Sequence, residues 1–224
     1  SLGWLEKFKK NDHRNLTIFL GDIRDNGSYE NYLCEGDIVI NLASLIAIPY
    51  SYSASSSYVD NNIVGINNLL NLSRKKKVKK FIHISSSEVY GSAQYIPIDE
   101  KHPINPQSPY AATKASADNL AMSYFYSYDL PVGIIRPFNT FGPRQSLRAV
   151  IPSIIFQYLE NKQINLGYIK STRSFNYVDD TIRGIYSSVK KHSSVGEVIN
   201  IGNDYEIMIS DIVEMISEIL GIKK

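Results

Sequence analysis

The near-continuous apolar runs of this chain constrain its fold most. Leu16–Leu20 (LTIFL), Asp37–Leu42 (DIVINL), Lys80–Ile84 (KFIHI), Val132–Ile135 (VGII) and Glu197–Ile201 (EVINI) are short and bounded by turn or polar residues. A strand with one wet face alternates polar and apolar residues, whereas a strand covered on both faces does not. The segments between these runs change period. From Tyr58 to about Arg74, residues Val59, Ile63, Ile66, Leu69, Leu70 and Leu72 recur at helical spacing. Pro109 to Tyr128 is a second predicted helix, opened by Ser108 as cap and Pro109 in the first turn. Ile151–Glu160, Tyr177–Lys190 and Ile209–Leu220 complete the set, the last closed by Gly221 as a C-cap. Strands alternating with helices predict an α/β fold, a doubly wound parallel sheet. Such sheets bind ligands beyond the carboxyl ends of their strands. Three predicted strands end in polar chemistry there: GDI (21–23), NLAS (41–44) and SSSEVYG (85–91). The serine-rich SYSASSS (51–57) is read as a short stretch just before a helix.

Bulk properties mainly exclude. At 224 residues the chain is read as one domain, residues 1–224. A net charge of +2 argues against nucleic acid and anionic membranes as partners. The basic cluster RKKKVKK (74–80) is read as a solvated helix end, where cations suit the helix dipole. Cys34 is the only cysteine, which rules out an intrachain disulfide, and His13, His83, His102 and His192 lack metal-ligand spacing, so no metal is expected. No run is long enough for a transmembrane span, no signal-peptide core opens the sequence, and a cytoplasmic location is expected.

The chemistry concentrates in two stretches. In SPYAATK (108–114), Tyr110 and Lys114 stand four apart on one helix face. An ammonium near a phenol favours the phenolate, so Lys114 is expected to lower the Tyr110 pKa and let it exchange a proton near neutrality. In ISSSEVYG (84–91), alternation along an extended backbone places Ser86 and Glu88 on one face, toward Tyr110, and Ser85 and Ser87 on the other.

Taken in order, Ser86 with EVYG (88–91), SPY with Lys114, and Arg136, Asn139, Gly142 and Pro143 in RPFNTFGP resemble the extended short-chain dehydrogenase/reductase family, the nucleotide-sugar epimerases and dehydratases. Asp22-Ile23, Asn41-Leu42-Ala43, Asn62 with Gly65, Arg173 and Asn200-Ile201-Gly202 extend the resemblance along the chain. It implies a Rossmann-like domain with a small C-terminal substrate lobe, built from about 140–176 and 203–224, and NAD as cofactor. It implies Ser86, Glu88, Tyr110 and Lys114 as catalytic residues. Tyr110 would act on the sugar C4 hydroxyl, Ser86 would bond the same oxygen, and Lys114 would hold the nicotinamide ribose. Asp22 and Ile23 would meet the adenine, and Leu42, Ala43 and Asn62 would line the dinucleotide path. Ser87 and Asn139 would face the sugar nucleotide, and Arg173 its diphosphate, a task suited to a guanidinium fork.

GWLE, GDIRD, LASLIAIPYSY, SYVDNN, SEVYGSAQYIPIDEKHP and TRSFNYVDD narrow the resemblance to 4,6-dehydratases acting on nucleoside-diphosphate N-acetylglucosamine in legionaminic-acid and related bacterial surface-sugar pathways. That implies C4 oxidation, proton removal from C5 by Glu88, loss of water and hydride return to C6. Many glucose-type members have an aspartate where Ser87 stands, so a 4-epimerase or a UDP-glucuronate decarboxylase stays open. A non-catalytic binding module on the same fold is the reading from a different class. The family's first βα unit with its GxxGxxG turn is not in the sequence. The chain is therefore expected to be a fragment that binds NAD poorly by itself. A homodimer through helices at about 58–74 and 109–128 is implied by the resemblance alone.

Overall fold

The computed structural model describes residues 16–160 and 163–222; GWLE and His13 lie outside them. The central sheet consists of β1 (Ile38–Asn41), β2 (Lys80–Ile84), β3 (Val132–Pro137) and β7 (Val198–Ile201), in the order β1-β2-β3-β7 and parallel throughout. The apolar runs are strands because both faces are covered. Phe81, Ile82, Ile134 and Ile135 are each fully buried, and each such side chain contributes about 1.5–3 kcal/mol.

Helix α1 (Ile48–Ser53) precedes α2 (Ser55–Val59), a π turn (Asp60–Val64) and α3 (Gly65–Lys75). The serine-rich 51–57 segment is thus largely helical, not a lead-in. Burial explains why: Ser51 and Tyr58 are fully buried, and the Tyr58 hydroxyl donates to the Ala47 carbonyl at 2.5 Å. Helix α4 (Pro109–Tyr128) starts as predicted, with Ser108 Oγ accepting from Ala111 N at 3.1 Å. Ile66, Leu70, Ala117 and Ala121 from α3 and α4 close over Phe81 and Val132 to form the main core.

A second core lies among α5 (Val150–Leu159) and α7 (Ile209–Ile219), around Ile154, Ile209, Ile212 and Ile216. Two small sheets attach to it: β4 (Asn139–Phe141) pairs in parallel with β6 (Phe175–Tyr177), and β5 (Thr172–Arg173) pairs antiparallel with β8 (Ile207–Met208). Helix α6 (Val178–Lys190) leads back to β7.

Two expectations are corrected. Leu16–Leu20 forms no strand. Leu20 is 88% exposed, and Phe19 instead stacks on Tyr32 at 3.5 Å. A strand needs a ladder partner on the sheet, and among the described residues this run has none. Among the described residues β1 is accordingly the sheet edge, with Ile38 and Ile40 42% and 40% exposed. The basic cluster is not wholly solvated either. Lys80 is buried, and its ammonium donates to the carbonyls of Ser188, Val189 and Lys191 and to Ser194 Oγ at 2.6–3.2 Å. It caps the carboxyl end of α6, where orphan carbonyls and the helix dipole both favour a cation.

Candidate active site

The β2 strand ends at Ile84, and the chain then turns rather than continuing extended. Ser86 caps a 3-10 turn, Ser87–Tyr90, its Oγ accepting from Glu88 N at 3.2 Å. The strict alternation expected across Ser85–Glu88 therefore fails after Ser86, because a hydroxyl that caps the next turn stops the strand. Ser86 and Glu88 still meet Tyr110, by the turn rather than by the pleat: both act electrostatically on its phenol. Gly91 closes the turn at φ 65, and a Cβ there would lie 2.1 Å from the Asn105 carbonyl oxygen. Gly91→Ala meets both backbone strain and an immovable backbone atom. It is expected to cost about 2–4 kcal/mol, read as a lowered thermal midpoint; an unchanged midpoint would refute this geometry.

Helix α4 brings the second half of the site. Tyr110 is 6% and Lys114 3% exposed. Burial pushes the Tyr110 phenol up to about 12; the Ser86 hydroxyl pulls it down, and Glu88 and Tyr58 push it further up. The Tyr58 ring meets it edge-on at 6.3 Å. The expected lowering by Lys114 is not found. The Lys114 ammonium donates to the Ile84 carbonyl at 2.6 Å, and burial pulls its own pKa down to about 8 while Asp118 raises it. Four-residue spacing put the two side chains on one face, but the lysine is held at the strand end.

Beneath the pair lies a buried polar network that pattern reading missed. Arg136 Nε donates to Asp118 Oδ2 at 2.9 Å and Arg136 Nη1 to the Tyr90 hydroxyl at 2.9 Å; that hydroxyl donates to Asn200 Oδ1 at 2.8 Å. His83 Nε2 stands 3.6 Å from Asp118 Oδ1, and burial drives the imidazole pKa well down, so it is neutral. The available signal was a charged residue, Asp118, on the alanine-rich face of α4, one turn beyond Lys114.

A cleft of about 790 Å³ opens over the strand ends, with Ser87, Glu88, Ser108, Asn139, Arg173 and Asn200 on its walls. Tyr110 is set back from that wall. A second recess of about 360 Å³ is walled by Val150, Leu166, Tyr168 and Phe175, and shares Asn139 and Arg173 with the cleft. Arg173 is exposed, and its Nη1 donates to the Thr172 carbonyl at 2.7 Å. Asn139 reaches the Ser174 carbonyl at 3.4 Å.

The residues expected along a dinucleotide path gather around the helical segment 60–75. Ile23 packs on Gly65, where a Cβ would meet Ile23 Cδ1 at 2.5 Å, and Asn68 Nδ2 donates to the Arg24 carbonyl at 2.9 Å. The neighbouring Asp22 pairs with Arg24, whose guanidinium lowers its pKa to about 2. Leu42 is exposed, and Ala43 N donates to Asn41 Oδ1 at 3.1 Å. Asn62 is buried and fully engaged with protein partners. Its oxygen accepts from Leu45 N and Ser44 Oγ, and its nitrogen donates to the Leu45 carbonyl and Thr113 Oγ1, at 2.8–3.0 Å. A buried amide with these partners positions the Ser44-Leu45 loop. The residues present fit NAD: a buried ammonium at the strand end, a phenol on the same helix face, and two loops packed on one helical segment.

A parallel sheet carrying a hydroxyl, a carboxylate and a tyrosine–lysine helix at its strand ends defines the short-chain dehydrogenase/reductase class. The chain belongs to the GDP-mannose 4,6 dehydratase family, whose model matches residues 1–223. It is 36% identical over 219 residues to a dTDP-D-glucose 4,6-dehydratase of Dictyostelium discoideum, covering 92% of this chain and 50% of that one. The chain thus spans about half the length of that relative. Among solved structures it is similar to DesIV, the dTDP-glucose 4,6-dehydratase of Streptomyces venezuelae with NAD and TYD bound (TM-score 0.86, 31% identity, 91% of this chain and 63% of that one). It is also similar to the UDP-glucuronic acid 4-epimerase of Bacillus cereus with UDP-glucuronic acid and NAD (TM-score 0.91, 34% identity, 99% and 70%).

Proposed function

We propose that this chain carries the catalytic centre of an NAD-dependent nucleotide-sugar 4,6-dehydratase acting on a nucleoside-diphosphate N-acetylhexosamine for surface-sugar biosynthesis. The observation that carries the reading is Glu88: a carboxylate on the cleft wall, at the same turn as Ser86 and close enough to act on the Tyr110 phenol. A 4-epimerase needs no base at C5; a dehydratase does. NAD, held by Lys114 and Tyr110 and along the Asp22-Ile23 and Leu42-Ala43 loops, would supply a hydride acceptor for C4 and return that hydride to C6.

The chain's own residues do the rest. Ser86 and Tyr110 hold the C4 oxygen, and Tyr110 takes its proton. A bound positive charge offsets the burial that keeps the phenol protonated. Glu88 then takes the C5 proton, which a ketone at C4 makes acidic. The C6 hydroxyl leaves as water, and a proton returns to C5 as hydride reaches C6, so the net change is loss of water. Arg173 and Asn139 stand where the sugar cleft and the second recess join, the place a diphosphate between sugar and nucleoside would occupy. The N-acetylhexosamine preference and the legionaminic-type pathway rest on the SEVYGSAQYIPIDEKHP and LASLIAIPYSY stretches. A cytoplasmic homodimer joined by the 55–75 and α4 helices is part of this reading; Val59, Val64 and Tyr126 on those helices are exposed.

Ser87 favours a second reading. It lines the cleft beside Glu88 and is no acid for a leaving hydroxyl, which suits a 4-epimerase or a decarboxylase. Incubation of the full-length enzyme with UDP- and GDP-linked N-acetylglucosamine, glucose and glucuronate, with products read by mass, separates the two. The dehydratase reading expects loss of about 18 Da from the N-acetylglucosamine substrate. Carbon dioxide loss from glucuronate, or no mass change anywhere, would overturn it.

A further inference from the structure

We propose that Asp118 is a positioning residue for the Tyr110–Lys114 pair: its carboxylate, one turn along α4 and clamped by Arg136, is the buried counter-charge that keeps Lys114 an ammonium fixed at the end of β2. Lys114 is 3% and Asp118 3% exposed, so neither charge is solvated. Among the described residues the only hydrogen bond of the ammonium is to the Ile84 carbonyl, at 2.6 Å. One neutral acceptor does not hold a desolvated cation; an opposite charge must. Asp118 is that charge. Its Oδ2 accepts from Arg136 Nε at 2.9 Å, which fixes the carboxylate from the neighbouring strand β3. Its Oδ1 has no hydrogen-bond partner, with His83 Nε2 of β2 at 3.6 Å.

The groups that face this carboxylate fall into a short set. Lys114 and the Tyr110 phenol lie on its own helix, His83 and Ser85 on β2 and its end, and Arg136 on β3, with the Tyr90 hydroxyl bonded to Arg136 from the 3-10 turn. His83 is neutral, so at neutral pH two cations share one anion. Burial pulls the Lys114 pKa down, and the Asp118 carboxylate opposes this. Because Ile84 and Ser85 immediately precede Ser86, the same cluster anchors the strand end that presents the Ser86 hydroxyl.

The role of Lys114 in catalysis rests on the function proposed above, but the test does not. In protein carrying lysine labelled with carbon-13 at Cε, the Lys114 resonance is assigned by its loss in Lys114→Arg and titrated with pH. Asp118→Asn is expected to lower its proton affinity about tenfold or more. Arg136→Met, which leaves the carboxylate to Lys114 alone, is expected to raise it. The two opposite signs separate a counter-charge from a merely structural side chain, and Arg136→Met decides the matter if Asp118→Asn does not fold. A midpoint that stays put, or moves the other way, in the variants that fold overturns the proposal. A full-length enzyme without turnover would sink the dehydratase reading and leave these midpoints untouched.

Discussion

Tyr110→Phe is expected to abolish nucleotide-sugar turnover, with a loss of about 10²–10⁴-fold, while the protein keeps its fold and melting behaviour. The phenol interacts with Ser86 and shares a helix face with Lys114, and in the proposed mechanism its hydroxyl moves the C4 proton. Removing it leaves the ring in place. Tyr58 still packs edge-on against it, and among the described residues the Tyr110 hydroxyl has a hydrogen-bonding interaction only with that of Ser86. The same geometry sets a pH signature. With its pKa pushed to about 12 in the free protein, the phenol stays protonated through neutrality, and Lys114 loses its proton near 8. Turnover at low substrate is therefore expected to fall above about pH 8 as the ammonium is lost. A Tyr110→Phe variant that retains turnover would remove the phenol from the reaction.

Glu88→Gln separates the steps rather than stopping them all. It is nearly isosteric, and the backbone N–H of residue 88 that bonds Ser86 Oγ is unchanged. In the proposed mechanism, oxidation at C4 needs Tyr110, Ser86, Lys114 and the cofactor but not Glu88. Removal of the C5 proton needs a carboxylate, which an amide cannot replace. The variant is expected to lose water release by about 10²-fold or more while C4 oxidation, read as reduced-cofactor absorbance, persists. Formation of the 4-keto-6-deoxy product at the wild-type rate would show that Glu88 is not the base.

Much of this was legible in the residues. The runs at 80–84 and 132–135 are buried on both faces, and that is why they lack alternation. The cap and proline at 108–109 start α4 where expected, because local hydrogen bonding decides helix starts. Ser86, Glu88, Tyr110 and Lys114 converge because they sit at adjacent strand and helix ends of one parallel sheet. What stayed hidden depends on partners distant in sequence. Leu16–Leu20 has strand composition but no ladder partner among the described residues. Lys80 looked like one more surface cation, yet the end of α6, more than a hundred residues later, buries it. Asn62 matched a motif, but four hydrogen bonds to residues 17 to 51 positions away in the chain occupy its amide. Lys114 shares a helix face with Tyr110, yet the Ile84 carbonyl decides where its ammonium points. No periodicity encodes such contacts.

The central claim is that Glu88 removes the C5 proton and that water is lost as a result. It is tested most directly by turnover of UDP-N-acetylglucosamine in deuterium oxide, with the product returned to ordinary water and examined by mass and NMR. The account predicts a 4-keto-6-deoxy sugar, lighter by about the mass of water, that carries solvent deuterium at C5 while the hydrogen from C4 appears at C6. A product of unchanged mass, inverted at C4 and free of deuterium at C5, would contradict it.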